Sequence, residues 1–231
     1  MTTLKMYDLA GADPARRFSP YCWRARMALE HKGLPVETIP WRFCDKPAIA
    51  PSGQDKVPVL VDGEQWIHDS WSIAVHLEET YRDHPSLFGG AAGQALARFH
   101  STYADSLGGR FLPFILRDIL DHLDEGDKVY FRESREKRLG VTLEDFQAGR
   151  EAKLPAMRDS LAPLRTVLSE QPFLSGAAPM YADYAMFGPF QWARCASAFE
   201  LLADGDPIAA WRERMLDLFG GLARLVPAPE A

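Results

Sequence analysis

The chain has 231 residues, 47% hydrophobic and 25% charged, enough apolar material for one large core or two small ones and too much for a disordered tail. A formal net charge of −6, with no run of Lys and Arg, argues against nucleic acid as a partner, because such a surface repels phosphate backbones. No uninterrupted apolar stretch approaches the ~20 residues that cross a bilayer, and residues 1–8 lack the apolar core of a signal peptide, so a cytoplasmic protein without a membrane partner is expected. Cys22, Cys44 and Cys195 suit reduced thiols, and neither they nor the six histidines show ligand spacing, so no metal is expected.

In chain order, Leu4 to Leu9 alternates apolar and polar residues and predicts a strand. Residues 19–33 predict a helix: Ser19 suits the N-cap, Pro20 the first turn, and Gly33 the C-terminal stop. A second strand is predicted over 36–39. Val57-Pro58-Val59-Leu60-Val61 is a third, and Asp62-Gly63 signals a hairpin into a fourth at Trp66-Ile67. Asp69-Ser70 then caps a helix that runs to about Tyr81. From His84 the pattern changes. Pro85 and Gly89-Gly90-Ala91-Ala92-Gly93 read as a linker over 86–93, separating a domain at 1–85 from one at 94–231. Beyond it the periodicity predicts only helices, over about 94–123, 143–171, 181–202 and 207–219, and the tail 227–231 reads as frayed. The plan is a small α/β domain followed by an all-α domain.

Three segments carry chemistry. Ser19-Pro20-Tyr21-Cys22-Trp23-Arg24 places a hydroxyl at a helix N-terminus, where free N–H groups and the helix dipole favour a thiolate. Ser19 is there either as a plain cap or as the donor that draws a bound thiol towards its ionised form. Lys56-Val57-Pro58 opens a strand at a position where a proline interrupts no ladder. Asp69-Ser70 offers a carboxylate for an ammonium group, and a hydroxyl with free N–H groups for a carboxylate.

Phe18 to Arg24 resembles the first active-site motif of serine-type glutathione S-transferases, and also the Cys-Pro-Tyr-Cys motif of glutaredoxins with serine in place of the first cysteine. Ser19 cannot attack a disulfide, so activation of glutathione's thiol is favoured over exchange, with Cys22 at the resolving position. The resemblance implies the glutathione S-transferase fold, a thioredoxin-like α/β N-terminal domain plus an all-α C-terminal domain. It implies glutathione as cosubstrate, with Ser19 catalytic. It also implies that Pro58 is cis, that Val57 pairs with the cysteinyl backbone, and that Asp69 and Ser70 hold the γ-glutamyl end. Lys56 reaches the glycine carboxylate, with Gln54 and Lys46 as competitors. Asp69 departs from the usual Glu or Gln by one methylene. A homodimer and a detoxification role follow from the same resemblance.

In the helical half, Pro172-Phe173-Leu174-Ser175-Gly176 followed by Tyr181-Ala182-Asp183-Tyr184 resembles the family's helix-opening motif. Met180 stands where a Ser or Thr usually caps, so Asp183 reads as structural. Tyr103, Phe111, Phe114, Tyr184 and Trp192 are candidates to line a pocket for a hydrophobic, aromatic second substrate, with core packing as the alternative. A narrower resemblance, to bacterial β-aryl-etherases and their fungal relatives, rests on the Ser19 segment, on Val57-Pro58-Val59 with Asp69-Ser70-Trp71, and on residues 143–151. It implies release of a phenol by glutathione attack. The alternatives are a glutathione-dependent reductase, isomerase or dehalogenase, or a non-catalytic ligand carrier on the same scaffold.

Overall fold

A computed structural model describes residues 4–229. The first three residues, read above for a leader, and Glu230 and Ala231 of the tail lie outside the described residues. The strands are β1 (Leu4–Leu9), β2 (Val36–Trp41), β3 (Val59–Asp62) and β4 (Gln65–His68). They form one mixed sheet in the order β2-β1-β3-β4. β1 pairs parallel with β2, Met6 opposite Thr38, and antiparallel with β3, Met6 opposite Leu60. Helices α1 (Pro20–His31) and α2 (Ser70–Thr80) complete this thioredoxin-like half. The parallel β1–β2 pair needs a crossover, and α1 supplies it. Gly33, at φ +63°, lets the chain leave α1 for β2. β3 and β4 need only a tight turn, and Gly63 at φ +62° provides it.

The second half is helical: α3 (Ala91–Ile115), α4 (Glu125–Leu139), α5 (Leu143–Gln147), α6 (Arg150–Asp159), α7 (Ala162–Glu170), α8 (Tyr181–Ala196) and α9 (Pro207–Gly221). α8 is buried along almost its whole length and packs on both α1 and α3. Gly188 makes the first contact possible, because a Cβ there would lie 2.3 Å from the Pro20 carbonyl oxygen. Asp183 sits at the head of α8 and accepts from the N–H groups of Leu174 at 2.7 Å and Ser175 at 3.1 Å, and from the Trp211 indole at 3.1 Å.

Several sequence expectations shift. α4 is absent from the predicted set because its exposed face is so charged that the apolar stripe is thin. Its boundary signals are nevertheless present, with Asp124 accepting from Asp127 N–H at 2.9 Å and Gly140 in the left-handed region at φ +75°. The single helix expected over 143–171 is three, because Gly149 turns left-handed at φ +64° and the chain breaks again at Leu161. Asp8, in phase with the buried Leu4 and Met6 of β1, is only 1% exposed. It lies 3.4 Å from both Arg17 and Arg26, and burial raises its carboxyl above the ordinary range against the pull of those two cations. In the tail, the Pro227 carbonyl accepts from Arg16 at 3.2 Å and is held rather than frayed.

Candidate active site

Ser19 has extended backbone (φ −70°, ψ 125°), and its Oγ accepts the Cys22 N–H at 3.2 Å. It is therefore the N-cap that the sequence predicts. Accepting that bond leaves the hydroxyl proton free to turn towards another acceptor, and the Cys22 sulfur is the protein group within its reach. Although 3% exposed, Ser19 lines a cavity of about 490 Å³. Cys22 is fully buried against β1, within reach of the Ser19 hydroxyl, and does not line the cavity. Burial pushes its thiol well above the ordinary value, and Asp8 adds to the rise. Of the two groups at this helix start, only the serine meets the cavity.

Lys56 and Val57 line the same cavity, while Pro58 is buried behind them and follows a cis peptide bond. Lys46 pairs with Asp55 at 3.7 Å and lies 4.8 Å from the Tyr130 ring centroid. Gln54 borders a separate groove with Lys46 and Asp55. Of the three residues that compete for a carboxylate, Lys56 is the one on the cavity wall.

Asp69 caps α2, its Oδ1 accepting the N–H groups of Trp71 and Ser72 at 3.0 Å each. Its backbone is left-handed at φ 70°, a conformation that costs a non-glycine residue on the order of 1–3 kcal/mol and persists where the surroundings impose it. Ser70 is buried, and its carbonyl accepts the Tyr181 hydroxyl at 2.9 Å. Asp69 and Ser70 are not on the wall of the 490 Å³ cavity. They adjoin it across Tyr21, a wall residue whose phenol is raised by burial first and then by Asp105 and Asp69.

Of the five aromatic residues proposed from the sequence, only Trp192 lines the cavity. Phe111, Phe114 and Tyr184 are core, and Tyr103 is half-buried beside Arg110. The aromatic wall comes instead from Phe18, Phe43, Tyr130 and Phe131. The last two are on α4, and the N–H groups of Phe43 and Cys44 donate to Asp127 of α4 at 3.0 and 2.9 Å, which ties the loop after β2 to that helix. The start and stop signals of α4 were the cue to these residues. Among the described residues no group of three or more His, Cys, Asp and Glu is placed to hold a metal.

A mixed four-stranded sheet with a cis-proline at the cavity edge, backed by a helical half, defines a thioredoxin-like protein of two-part construction. Family models carry the assignment further: "Glutathione S-transferase, N-terminal domain" matches residues 15–85 and "Glutathione S-transferase, C-terminal domain" matches 95–217. The chain belongs to the glutathione S-transferase family. It is 27% identical over 229 residues to the glutathione S-transferase-like protein ustS of Aspergillus flavus, covering 82% of this chain and 79% of that one. Its fold matches a glutathione S-transferase of Ceriporiopsis subvermispora in complex with glutathione (TM-score 0.79, 24% identity, 100% of both chains). It also matches the glutathione transferase GSTFuA3 of Phanerochaete chrysosporium (TM-score 0.78, 22% identity, 100% of both chains). The residues 143–151 that suggested the etherase branch serve packing: Gln147 donates to Asp118 at 2.7 Å, and Arg150 reaches the same carboxylate at 2.7 Å.

Proposed function

We propose that the protein is a glutathione transferase in which Ser19 stabilises the glutathione thiolate for attack on an aromatic electrophile. The observation that carries this reading is the Ser19 hydroxyl at the start of α1, on a cavity shared with Lys56, Val57 and an aromatic wall. A free thiol has a pKa near ~8.5. The Ser19 O–H and the N-terminal end of α1 both favour the anion, and the proton leaves to solvent. Sulfur then bonds to the electrophilic carbon, and the leaving group departs with the bonding pair. Lys56 holds the glycine carboxylate, Val57 pairs with the cysteinyl backbone, and Asp69 and Ser70 take the γ-glutamyl ammonium and carboxylate. Among electrophiles we propose a β-aryl ether ketone, whose carbonyl activates the adjacent carbon and whose phenolate leaves readily. A homodimer fits the exposure of Leu96 and Phe99 on α3, at 62% and 67%, and sedimentation measures it.

The test is an ultraviolet pH titration of bound glutathione, since the thiolate absorbs, together with turnover. Ser19→Ala should abolish the lowering of the thiol pKa and slow the chemical step ~10²-fold, as removal of one preorganised donor does. Cys22→Ser should have far less effect. The reverse ranking would make this a thiol-disulfide enzyme. Binding of glutathione with no shift in its thiol would instead favour a ligand carrier. Phenol release from a fluorogenic β-aryl ether ketone, dependent on glutathione and on Ser19, tests the ether reading. Conjugation of an aryl halide without that release would leave a transferase of other specificity.

A further inference from the structure

The cavity carries more positive charge than its own carboxylates balance. Both acids on its wall are already matched, Asp105 with Arg24 at 2.9 Å and Asp55 with Lys46 at 3.7 Å. Among the described residues, the wall cations Lys56, Arg135 and Arg138 make no ion pair. The glycine carboxylate of glutathione accounts for Lys56, beside Val57 on the sheet side. Arg135 and Arg138 belong to α4 and are left over.

Arg135 is the more enclosed of the two. Its guanidinium carbon lies 4.3 Å from the Phe131 ring centroid, 5.0 Å from that of Phe43 and 5.9 Å from that of Tyr130. One of its N–H groups donates to Ser134 Oγ at 2.7 Å, and the Tyr130 hydroxyl is the other polar group against it; neither is a carboxylate. Ring faces attract a guanidinium, and two hydroxyls take part of its fork, but none of these groups carries the negative charge that a planar anion would bring. Burial pulls Arg135 below the ordinary arginine value, and neighbouring Arg138 adds to the pull. A neutral aromatic acceptor would leave a half-buried cation without an anion; an acidic one would supply it.

We infer that Arg135, with Arg138 beside it, selects electrophiles that carry a carboxylate, so that the preferred acceptors of this enzyme are aromatic acids. The inference rests on the reading of the cavity as the acceptor site of a glutathione transferase. In the test reaction glutathione's sulfur bonds to C4 of 4-chloro-3-nitrobenzoate, chloride leaves with the bonding pair, and the thiol proton goes to solvent. The carboxylate lies across the ring from the reacting carbon and takes no part in bond making.

The experiment compares kcat/KM for 4-chloro-3-nitrobenzoate and for its methyl ester at saturating glutathione, each normalised to its uncatalysed rate. Wild type should prefer the acid by about 10- to 100-fold, the range of a charge-assisted hydrogen bond. Arg135→Gln should collapse that preference, with the loss in the acceptor's KM and not in glutathione's. Arg135→Lys should retain part of it as a point charge. No acid preference in wild type would overturn the inference, and that comparison needs no variant to fold. A rise in glutathione's KM in Arg135→Gln would also overturn it, by assigning the arginine to the glycine carboxylate. If neither acceptor is conjugated, the transferase reading fails separately. Calorimetry with S-(4-carboxy-2-nitrophenyl)glutathione and its methyl ester then decides: tighter binding of the acid upholds the inference, and equal or absent binding overturns it.

Discussion

Gly188→Ala is the substitution by which this structure is most sharply tested. A Cβ at 188 would sit 2.3 Å from the Pro20 carbonyl oxygen and 3.1 Å from its carbon, where ordinary contacts begin at 3.4 Å. Both atoms it meets are backbone, so α8 or the start of α1 must move by about 1 Å rather than a side chain swinging aside. Overpacking of this kind costs ~1–3 kcal/mol. Alanine gains up to ~1 kcal/mol over glycine in a helix interior, although Pro189 disfavours helical geometry in a preceding residue with a Cβ and reduces that gain. Gly109→Ala is the comparison: it lies inside α3 with nothing within 4 Å of its Cβ position and should stabilise the protein by up to ~1 kcal/mol. At about 2–4 °C per kcal/mol for a chain of this size, thermal unfolding should separate the two variants by ~2–12 °C. Because Pro20 follows Ser19 directly, the same ~1 Å shift should lower turnover by as much as ~10²-fold. Identical melting temperatures, with full activity in Gly188→Ala, would refute the close approach of α8 to α1.

Ser70→Ala should weaken glutathione binding ~10- to 100-fold by loss of one charge-assisted hydrogen bond to the γ-glutamyl carboxylate, read by calorimetry; unchanged affinity removes Ser70 from the site. Alkylation of the folded protein followed by mass spectrometry should mark Cys44, which is exposed, and spare Cys22 and Cys195, which are buried. Asp127 raises the Cys44 thiol, so its modification should accelerate as pH rises beyond the range at which a free thiol has already reacted. Burial pushes Cys195 up to about 12, and labelling of it or of Cys22 at pH 8 without denaturant would contradict their placement.

Much of the molecule is written in local sequence. Ser19, Pro20 and Gly33 mark the ends of α1, and Asp69 marks the start of α2, because caps and left-handed stops depend on residues within one turn of each other. The strands were legible and their order was not: alternation locates β1 and β2 and a compact apolar run locates β3, while the pairing of β1 with β3, with β2 outside, depends on where α1 packs. Asp8 shows the limit of alternation, since its phase with Leu4 and Met6 puts it inward but does not reveal that two arginines from α1 and the loop before it will meet the carboxylate there.

The segments around Ser19, Val57 and Asp69 were legible in the sequence, each a short stretch carrying its own hydrogen-bonding geometry. The acceptor half was not. Phe111 and Tyr184 have the same aromatic character as Phe131 and Trp192, and only the stacking of α8 between α1 and α3 decides which rings are core and which are wall. Arg135 reads in sequence as one more charge on a polar helix. It becomes the cation of a cavity because Asp127, two turns earlier on α4, draws the loop after β2 against that helix and brings Phe43 over the guanidinium. The sequence by itself determined the caps, the strands and the segments at Ser19, Val57 and Asp69, whose causes lie within a few residues. The tertiary structure alone decided the shape and charge of the cavity on its α4 side, because those come from residues more than eighty positions apart that meet only when both halves have packed.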